Sequence, residues 1–419
     1  MKLNDYYILM NSEHLNKLLQ FTTPIKESFE DAAKQIYLVG GIVRDLHVGV
    51  NDISSLDLDF TTDATPEEIK KIIEPIAESI WLSGQRFGTI GAQVNGKTIE
   101  ITTHRSESYV SESRKPVVTF SNDIHEDLSR RDFTINSMAI DLKTQELIDP
   151  FNGLQDLQMR ALRTPLDPTI SFSEDPLRMM RAARFISRYN LTFDKGLKQS
   201  VEELRGRLEI VSAERIRDEL NKLLMTPDPN PGFKFLLKTK LYELFLPELL
   251  ENRNRHQVRY LRQNLSIRLS ALLINVSQSA GKARMKELKY PNREIDNVEN
   301  LISAAKMILT KSMNNVQYRR WYLFAGENRQ GSIEIATVQR FSRKRIKSVR
   351  RQSRLLDQEL KDSTIPLTGS EIINIFGIDE GPKVGNALEH LKNLFIENGP
   401  ISRSEAIDSL EVWIKSNDI

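Results

Sequence analysis

The chain is 419 residues long, 28% of them are charged, and none is cysteine. A domain usually has about 100–200 residues, so this length predicts about two to four domains, with the composition of an ordinary globular protein. The lack of cysteine excludes disulfides, thiolate zinc sites and a cysteine nucleophile, and it fits a reducing compartment. Because 59 Lys and Arg residues oppose 57 Asp and Glu residues, only local charge clusters can indicate a partner. With no apolar run of membrane-spanning length, we expect a cytoplasmic enzyme or binding protein without a membrane partner.

The first third of the chain alternates strand-like and turn-like segments. Strands are expected at residues 36–39, 56–60, 89–94, 98–103 and 138–142. Asn95-Gly96 between two of these segments is typical of a hairpin turn. Residues 66–79 have apolar positions at helical spacing, after Thr65 as a cap and Pro66 as the first helical residue. The pattern predicts an α+β region with a mixed sheet.

Beyond about residue 170, long amphipathic helices replace the strand signals. The clearest helical patterns cover residues 176–189, 213–225 and 231–244. Breaks are expected at residues 226–231, at Gly281 and around Pro366, because proline and glycine interrupt helical patterns. The second part of the chain is therefore predicted to be all-helical.

Two aspartates alternate with apolar residues in the segment 56–60. On a strand, Asp57 and Asp59 would lie on one face, about 6–7 Å apart. Such close like charges need neutralising, and Mg²⁺ binds through one or two carboxylates plus substrate phosphates. Glu100, out of phase with Ile99 and Ile101, is a candidate third acid. An Asp-x-Asp pattern by itself more often marks a solvated strand face.

Residues 38–45, Leu-Val-Gly-Gly-Ile-Val-Arg-Asp, have the pattern of a strand, a tight glycine turn and the start of a helix. Such a turn lets backbone amides approach a phosphate, and Arg44 can add charge-assisted hydrogen bonds. A Gly-Gly pair alone is more often just a turn. Here the turn is followed directly by a carboxylate pair that can hold Mg²⁺, and the combination indicates nucleotidyl transfer.

Four ordered motifs, at residues 40–59, 130–139, 149–153 and 174–185, resemble those of class II tRNA nucleotidyltransferases. This family belongs to the polymerase β superfamily and includes CCA-adding enzymes and bacterial poly(A) polymerases. The resemblance implies a polymerase β-like nucleotidyltransferase head, followed by an all-helical neck with a nucleotide-templating helix, a body and a tail. The corresponding ranges are 1–165, 166–250, 251–350 and 351–419. Body and tail are expected to bind tRNA.

The resemblance also implies roles for individual residues. Two Mg²⁺ ions would be held by Asp57 and Asp59. Contacts with the incoming nucleotide would come from Gly41, Arg44, Arg131 and Asp132, of which Asp132 would read the ribose hydroxyl. Without its neighbours, the Arg-Arg-Asp run at residues 130–132 would be read as a surface ion-pair cluster. Residues 149–153 are rich in turn formers and are expected to act as a structural hinge.

Asp175, Arg178, Arg181 and Arg184 recur every three residues along a predicted helix. A carboxylate acceptor beside a guanidinium donor complements the amino group and ring acceptors of cytosine and adenine. Uracil and guanine present the reverse order and would leave buried polar groups unpaired. The resemblance gives Asp175 and Arg178 this templating role, with Arg181 and Arg184 assisting. Without the other motifs, a salt-bridged helix face would be the simpler interpretation.

Residues 83–89, Ser-Gly-Gln-Arg-Phe-Gly-Thr, resemble a segment of CCA-adding enzymes rather than of poly(A) polymerases. Residues 105–116 resemble the flexible loop that the family uses to switch from C to A addition. Its candidate residues are Arg105, Glu107, Tyr109 and Arg114. An ordinary exposed loop has a similar composition.

Two features concern the helical regions. Some relatives carry a metal phosphohydrolase domain with a His-Asp dyad, but Ile274 and Asn275 stand in its place here, so we expect a degenerate segment without hydrolase activity. Residues 340–354 concentrate positive charge and suit either a solvated helix face or a track for RNA phosphates. The RNA-binding candidates are Arg343, Lys344, Arg345, Lys347, Arg350 and Arg351.

Together these features predict attack of a tRNA 3′-hydroxyl on the α-phosphate of CTP, twice, and then of ATP, with release of pyrophosphate and with Mg²⁺ as cofactor. An A-adding enzyme or a poly(A) polymerase is the alternative within the family. A catalytically inactive RNA-binding protein is the alternative from another class. No obligatory protein partner is expected.

Overall fold

The computed structural model describes residues 12–48, 58–108, 117–309, 313–339, 342–361 and 366–416. The chain divides into two units, Met1–Phe245 and Leu246–Ile419. The first contains a mixed sheet followed by helices, and the second is helical. The predicted fold class is therefore confirmed. None of the described helices is long and apolar enough to cross a membrane.

Seven strands form the sheet of the first unit, in the order β3-β4-β5-β2-β1-β8-β9. Only β2 and β5 pair in parallel, and the other neighbours are antiparallel. A separate hairpin consists of β6 and β7. The strands are β1 Ile36–Val39, β2 Leu58–Thr62, β3 Ser79–Trp81, β4 Thr89–Val94, β5 Lys97–Thr103, β6 Arg105–Ser108, β7 Val117–Phe120, β8 Ala139–Asp141 and β9 Leu147–Ile148.

The two faces of this sheet differ in character. One face carries buried apolar side chains such as Phe60 and Ile101, which pack into a core with residues of α1 (Ser12–Asp31) and α3 (Pro66–Ile73). Successive strand residues alternate between faces, so Asp59 and Glu100 belong to the opposite face. We call this second face the acid face.

Helices make up the rest of the first unit. Besides α1 and α3 they are α2 Gly41–His47, α4 Ile124–Ser129, α5 Gly153–Gln158, α6 Pro168–Glu174, α7 Leu177–Tyr189, α8 Lys195–Leu204, α9 Ala213–Leu224 and α10 Asn230–Lys238. Short 3-10 helices lie at Gln85–Phe87, Thr134–Asn136, Arg205–Ile210 and Leu241–Leu244. The central helix is α7, which packs against both α9 and α10 through buried residues such as Met179 and Ala183.

The second unit is helical in its described residues. Its helices are α11 Leu265–Leu273, α12 Gln278–Glu287, α13 Asn292–Leu309, α14 Asn315–Ala325, α15 Arg329–Val338, α16 Arg343–Lys361, α17 Gly369–Phe376, α18 Pro382–Asn398 and α19 Arg403–Ser416. Short 3-10 helices lie at Pro247–Leu250, Arg255–Tyr260 and Gly326–Asn328. Among its described residues, one core surrounds the fully buried Trp321 and another joins α17, α18 and α19.

Several sequence predictions of elements need correction. The helix expected at 66–79 ends at Ile73, because Pro75 has no amide hydrogen to continue it, and β3 begins at Ser79. The helix expected at 231–244 ends at Lys238, and Lys240 adopts a left-handed conformation with φ of 57°. Gly281, expected to break a helix, lies inside α12.

Candidate active site

Asp59 and Glu100 lie side by side on the acid face. They are direct partners in the parallel pairing of β2 with β5, so their Cα atoms are one strand spacing apart, about 4.8 Å. Asp59 is half-buried and Glu100 is exposed. The structure thus brings two of the three predicted acids together, and Asp57 lies outside the described residues.

The turn between β1 and α2 adjoins this acid pair. Gly40 has φ of 77°, a conformation that favours glycine. A Cβ atom at Gly40 would lie 3.1 Å from Arg131 Nη1 and 3.8 Å from Asp59 Oδ2. The absence of a side chain at Gly40 therefore lets the backbone lie close to both the acid and the guanidinium. Gly41, the glycine predicted to contact the triphosphate, faces Arg44, and that contact stays a prediction.

Arg44 is buried in a network of its own. Its Nε donates a hydrogen bond to Asp45 Oδ1 at 2.9 Å, and its Nη1 donates to Asn136 Oδ1. The guanidinium lies over the ring of Tyr189, 4.5 Å from the centroid, and the Tyr189 hydroxyl donates to Asp45 at 3.0 Å. Burial raises the pKa of Tyr189 to about 12, which keeps the hydroxyl a donor. The triphosphate contact assigned to Arg44 stays a prediction.

Arg131 is held by a buried carboxylate of α4. Asp127 is fully buried and accepts hydrogen bonds from Arg130 Nη2 at 2.6 Å and from Arg131 Nη2 at 3.0 Å. Although burial favours the neutral acid, the two guanidiniums hold the pKa of Asp127 at about 2. Asp127 therefore orients Arg131, whose other terminal nitrogen faces Gly40. Asp127 was not among the predicted site residues, although its spacing of three and four residues from the two arginines is a detectable signal.

Asp132 is also buried among donors. Its Oδ1 accepts from the Phe133 amide at 2.9 Å and from Asn136 Nδ2 at 2.8 Å. Its Oδ2 accepts from Arg181 Nε at 2.7 Å. Burial works against ionisation, yet Arg181 and Asn136 lower the pKa of Asp132 below its ordinary value. The carboxylate is ionised and firmly placed, and its contact with a ribose hydroxyl stays a prediction.

The two residues predicted to read the base lie three positions apart, one before α7 and one in its first turn. Asp175 sits between α6 and α7, where its Oδ1 accepts from the Leu177 amide at 3.1 Å. Arg178 is buried, and its Nη1 donates to Ser171 Oγ at 2.9 Å while its Nη2 donates to the Arg130 carbonyl. Arg178 thereby joins α7 to the Arg-Arg-Asp segment. The base-reading role of the pair stays a prediction.

Arg184 points to a different neighbour. Its Nε donates to Glu219 Oε2 of α9 at 2.6 Å, and its guanidinium lies 4.4 Å from the centroid of the Phe185 ring. Burial lowers the pKa of Arg184 from its ordinary value. Arg184 thus ties α7 to α9, and its assisting role toward a nucleotide stays a prediction. We call the charged residues that join α4 to α7 the arginine network: Asp127, Arg130, Arg131, Asp132, Arg178 and Arg181.

The residues predicted for the flexible loop and for RNA binding are not part of the arginine network. Arg105 begins β6 and its Nη1 donates to the Phe87 carbonyl, Glu107 belongs to β6, and Tyr109 and Arg114 lie outside the described residues. On α16, Ile346 and Val349 are buried and the basic residues are mostly exposed. The exposed ones are Arg343, Lys344, Lys347, Arg350 and Arg351, whereas Arg345 is half-buried.

The acid pair fits a divalent cation that is shared with a substrate. Within the described ranges, no three acidic, histidine or cysteine side chains form a group able to hold a metal ion. Mg²⁺ needs only one or two carboxylates when phosphates complete its ligands. Asp59 and Glu100 supply carboxylate oxygens, and Gly40 places no side chain beside Asp59. The donor set is therefore compatible with Mg²⁺ bound together with a triphosphate.

Three family models match the chain. They are the poly(A) polymerase head domain at residues 36–163, a probable RNA- and SrmB-binding site of polymerase A at 190–252, and a putative domain 2 of tRNA nucleotidyltransferase at 264–410. A CCA-adding enzyme of Lactobacillus helveticus is 32% identical over 407 residues, 93% of this chain and 96% of the relative. One of Geobacillus sp. is 31% identical over 392 residues, 91% and 94% of the two chains.

Solved structures agree with these relatives. The Bacillus stearothermophilus CCA-adding enzyme in complex with CTP has a TM-score of 0.76 and 25% identity, covering 96% of this chain and 98% of its own. The Thermotoga maritima CCA-adding enzyme complexed with tRNA has a TM-score of 0.67 and 22% identity, covering 99% of both chains, and it supports the fold. From the ordered motifs, the mixed sheet and these relatives, we conclude that the chain belongs to the CCA-adding enzymes of the class II tRNA nucleotidyltransferase family.

Proposed function

We propose that this protein adds CCA to the 3′ end of tRNA from CTP and ATP, releases pyrophosphate, and selects each base with protein side chains. The observation that carries the proposal is the pairing of Asp59 with Glu100 beside the Gly40 turn and Arg131. Membership in a family named for this reaction supports it. In this arrangement a triphosphate can meet carboxylates and a fixed guanidinium at one place.

Arg131 is suited to bind the triphosphate. Its charge is permanent, Asp127 fixes its side chain, and its Nη1 faces the open backbone of Gly40. A guanidinium that is already oriented loses little freedom when it binds phosphate oxygens. Asp57 and Asp59 would hold two Mg²⁺ ions. When bound, these ions would lower the pKa of the attacking hydroxyl and neutralise charge on the leaving pyrophosphate.

Base selection is proposed to rest on Asp175 and Arg178. Ser171 and the Arg130 carbonyl fix the guanidinium of Arg178, so its remaining donor capacity has a set direction. Asp175 adds an acceptor one turn away. Cytosine and adenine can satisfy both groups, whereas uracil and guanine would leave a carbonyl facing a carboxylate, which disfavours them.

The helical regions are proposed to bind the RNA. On α16, the buried Ile346 and Val349 fix the orientation of the helix, so its basic side chains project into solvent, as a phosphate track requires. We assign catalysis to a head at residues 1–165, base selection to a neck at 166–250, and tRNA binding to a body at 251–350 and a tail at 351–419. We place the reaction in the cytoplasm, because a chain without cysteine suits a reducing compartment.

Extension of a tRNA that ends before CCA tests the proposal. CTP alone should give two added nucleotides, CTP with ATP three, and ATP alone none. Addition of A alone would identify an A-adding enzyme or a poly(A) polymerase instead. RNA binding without extension under any nucleotide mixture would identify an inactive RNA-binding protein.

Asp59→Asn tests the chemistry, because it keeps the size of the side chain and removes its charge. Incorporation of both nucleotides should fall below about a hundredth of wild type, and tRNA affinity should stay within about twofold. Glu126→Gln, at an exposed acid of α4, should leave incorporation unchanged. Substantial incorporation by Asp59→Asn would contradict the assignment of this acid to the metal.

A further inference from the structure

Trp81 shares the acid face with the two carboxylates. It pairs with Gly91, Gly91 pairs with Glu100, and Glu100 pairs with Asp59, so the four residues form one row across β3, β4, β5 and β2. Direct cross-strand partners project to the same side of a sheet. The adjacent Ile80 packs into the core on the opposite side. The half-buried indole therefore belongs to the face that carries the acids, where part of it is open to solvent.

Gly91 provides the space in which the indole lies. A Cβ atom at Gly91 would be 1.9 Å from Trp81 Nε1 and 2.3 Å from Cε2. The pyrrole part of the ring therefore covers the backbone of β4, next to the strand of Glu100. This position leaves room for no side chain at residue 91, and it holds the aromatic ring close to the acid pair.

The groups proposed to bind the incoming nucleotide lie on the other side of Asp59. In the strand order β3-β4-β5-β2-β1, Gly40 follows β1, and Arg131 reaches the Gly40 turn. The acids thus separate a triphosphate side from a side that ends at Trp81. In phosphoryl and nucleotidyl transfer, the attacking and leaving oxygens are roughly in line. The RNA end must then approach from the side opposite the triphosphate, which is the side of Glu100 and Trp81.

The spacing suits one nucleotide. From β5 to β3 is two strand spacings, about 10 Å, so a nucleotide whose 3′-hydroxyl lies at the acids can extend its base toward Trp81. Stacking on an aromatic ring tolerates any base, because every base has a π-face. This tolerance fits an acceptor whose last base changes as C, C and A are added.

We propose that Trp81 is the surface on which the 3′-terminal base of the acceptor RNA stacks, so that the terminal hydroxyl is positioned at Asp59 and Glu100. This inference rests on the proposed function, because it assumes that an RNA end is the attacking group. It makes Trp81 a positioning residue for the acceptor, with no part in choosing between CTP and ATP.

The test compares Trp81→Leu and Trp81→Phe with wild type on two acceptor RNAs that end before CCA. One, called the complete RNA, has all its bases, and the other, the abasic RNA, lacks only the base of its last nucleotide. On the complete RNA, Trp81→Leu should lower kcat/KM for RNA about tenfold, at the lower end of the range for one stacked base, while KM for CTP stays unchanged. Trp81→Phe should recover most of the loss. On the abasic RNA, wild type and Trp81→Leu should be equal.

Binding gives a second readout that does not depend on catalysis. Tryptophan fluorescence in EDTA should be quenched by the complete RNA and less by the abasic RNA, and this difference should disappear in Trp81→Phe. The fully buried Trp321 and the partly buried Trp413 give a background signal that both RNAs should affect equally. Gly91→Ala should reproduce the Trp81→Leu kinetics, because the added methyl group occupies the place of the indole.

Two outcomes would overturn the inference. One is an equal loss by Trp81→Leu on both RNAs, which would mean that the indole only supports the sheet. The other is a change in KM for CTP without a change for RNA. Failure of wild type to extend the complete RNA would instead refute the proposed function, and the two failures are therefore distinguishable.

Discussion

The acid face and the arginine network are held in place in different ways. Asp59 and Glu100 are brought together by backbone register, which depends on the apolar residues of the opposite face of the sheet. The arginine network is held by its own side chains, since each buried carboxylate binds more than one donor, and Arg178 and Arg181 of α7 reach the segment that follows α4. A substitution on the acid face should therefore change chemistry alone. One in the network should change both chemistry and stability.

The largest combined effect is expected for Asp127→Asn. The substitution leaves the guanidiniums of Arg130 and Arg131 without their buried counter-charge, and breaking such a pair costs about 3 kcal/mol of unfolding free energy. Activity should fall as well, because Arg131 loses its orientation. Urea unfolding and CTP incorporation measure the two effects. With Glu126→Gln as the control on the same helix, a stability loss below about 1 kcal/mol would contradict the account of the network.

Glu100→Gln tests the acid face in the same way that Asp127→Asn tests the arginine network. Glu100 is exposed, so its substitution should change the unfolding free energy by no more than about 0.5 kcal/mol. Incorporation of CTP and ATP should nevertheless fall at least about tenfold, because the row loses one of its two described charges. The same urea and incorporation assays apply. A stability loss as large as that of Asp127→Asn would remove the distinction between the two regions.

Low pH should destabilise the arginine network by protonating Asp127. Its pKa is about 2 in the folded protein and about 4 when unfolded, so its contribution to stability is complete above about pH 4 and is lost as the pH falls toward 2. The shift corresponds to about 2–3 kcal/mol. The difference in unfolding free energy between wild type and Asp127→Asn should therefore shrink between pH 5 and pH 3, by about 0.5 kcal/mol or more. A constant difference would show that the charge of Asp127 is not what stabilises the network.

Sequence reasoning was most successful where a local pattern determines the structure. Period-two alternation and the Asn95-Gly96 turn predicted β4 and β5, and alternation placed Asp59 on the face opposite Phe60. The three-residue β3 was not predicted, because so short a strand has no periodicity. The row of cross-strand partners that ends at Trp81 was therefore not predicted either. Glu100 was predicted as a candidate acid, but its pairing with Asp59 depends on the register of β2 and β5, which a local pattern does not determine.

The arginine network was less predictable for a physical reason. Arg131 and Asp132 were singled out, and Asp127 and Asn136, which hold them, lie only four residues away in the chain. The contact of Asp132 with Arg181 of α7 joins residues 49 positions apart, and no local pattern predicts it. Gly41 was chosen over Gly40 because a Gly-Gly pair does not reveal which member has the positive φ. Contacts between residues that are far apart in the chain, such as those of Arg178 and Arg181 with the segment after α4, leave little trace in a sequence pattern.

Beside the network, Asp175→Ala tests base selection. Without the acceptor, use of CTP and ATP should slow, and their advantage over UTP and GTP should narrow by about 5- to 150-fold, the value of one mispaired buried group. Values of kcat/KM for the four triphosphates on a tRNA lacking CCA measure this. Asp175 also accepts from the Leu177 amide, so Asp175→Asn, which retains an acceptor for that amide, serves as the control. A slower enzyme with unchanged discrimination would make Asp175 a helix cap only.

The smallest effect is expected on α16, where charges are exposed and belong to neither region. Arg350→Ser with Arg351→Ser should raise the Kd for tRNA several-fold and reduce the slope of log Kd against log salt by about one for each phosphate that the variant no longer binds. Stability should change little, because the buried residues of the helix, such as Val349, stay in place. Lys70→Ser with Lys71→Ser, which removes two exposed charges of α3 in the head, is the matched control. An unchanged salt slope would mean that this face is simply solvated, and the basic run at residues 340–354 would then serve solubility instead of RNA binding.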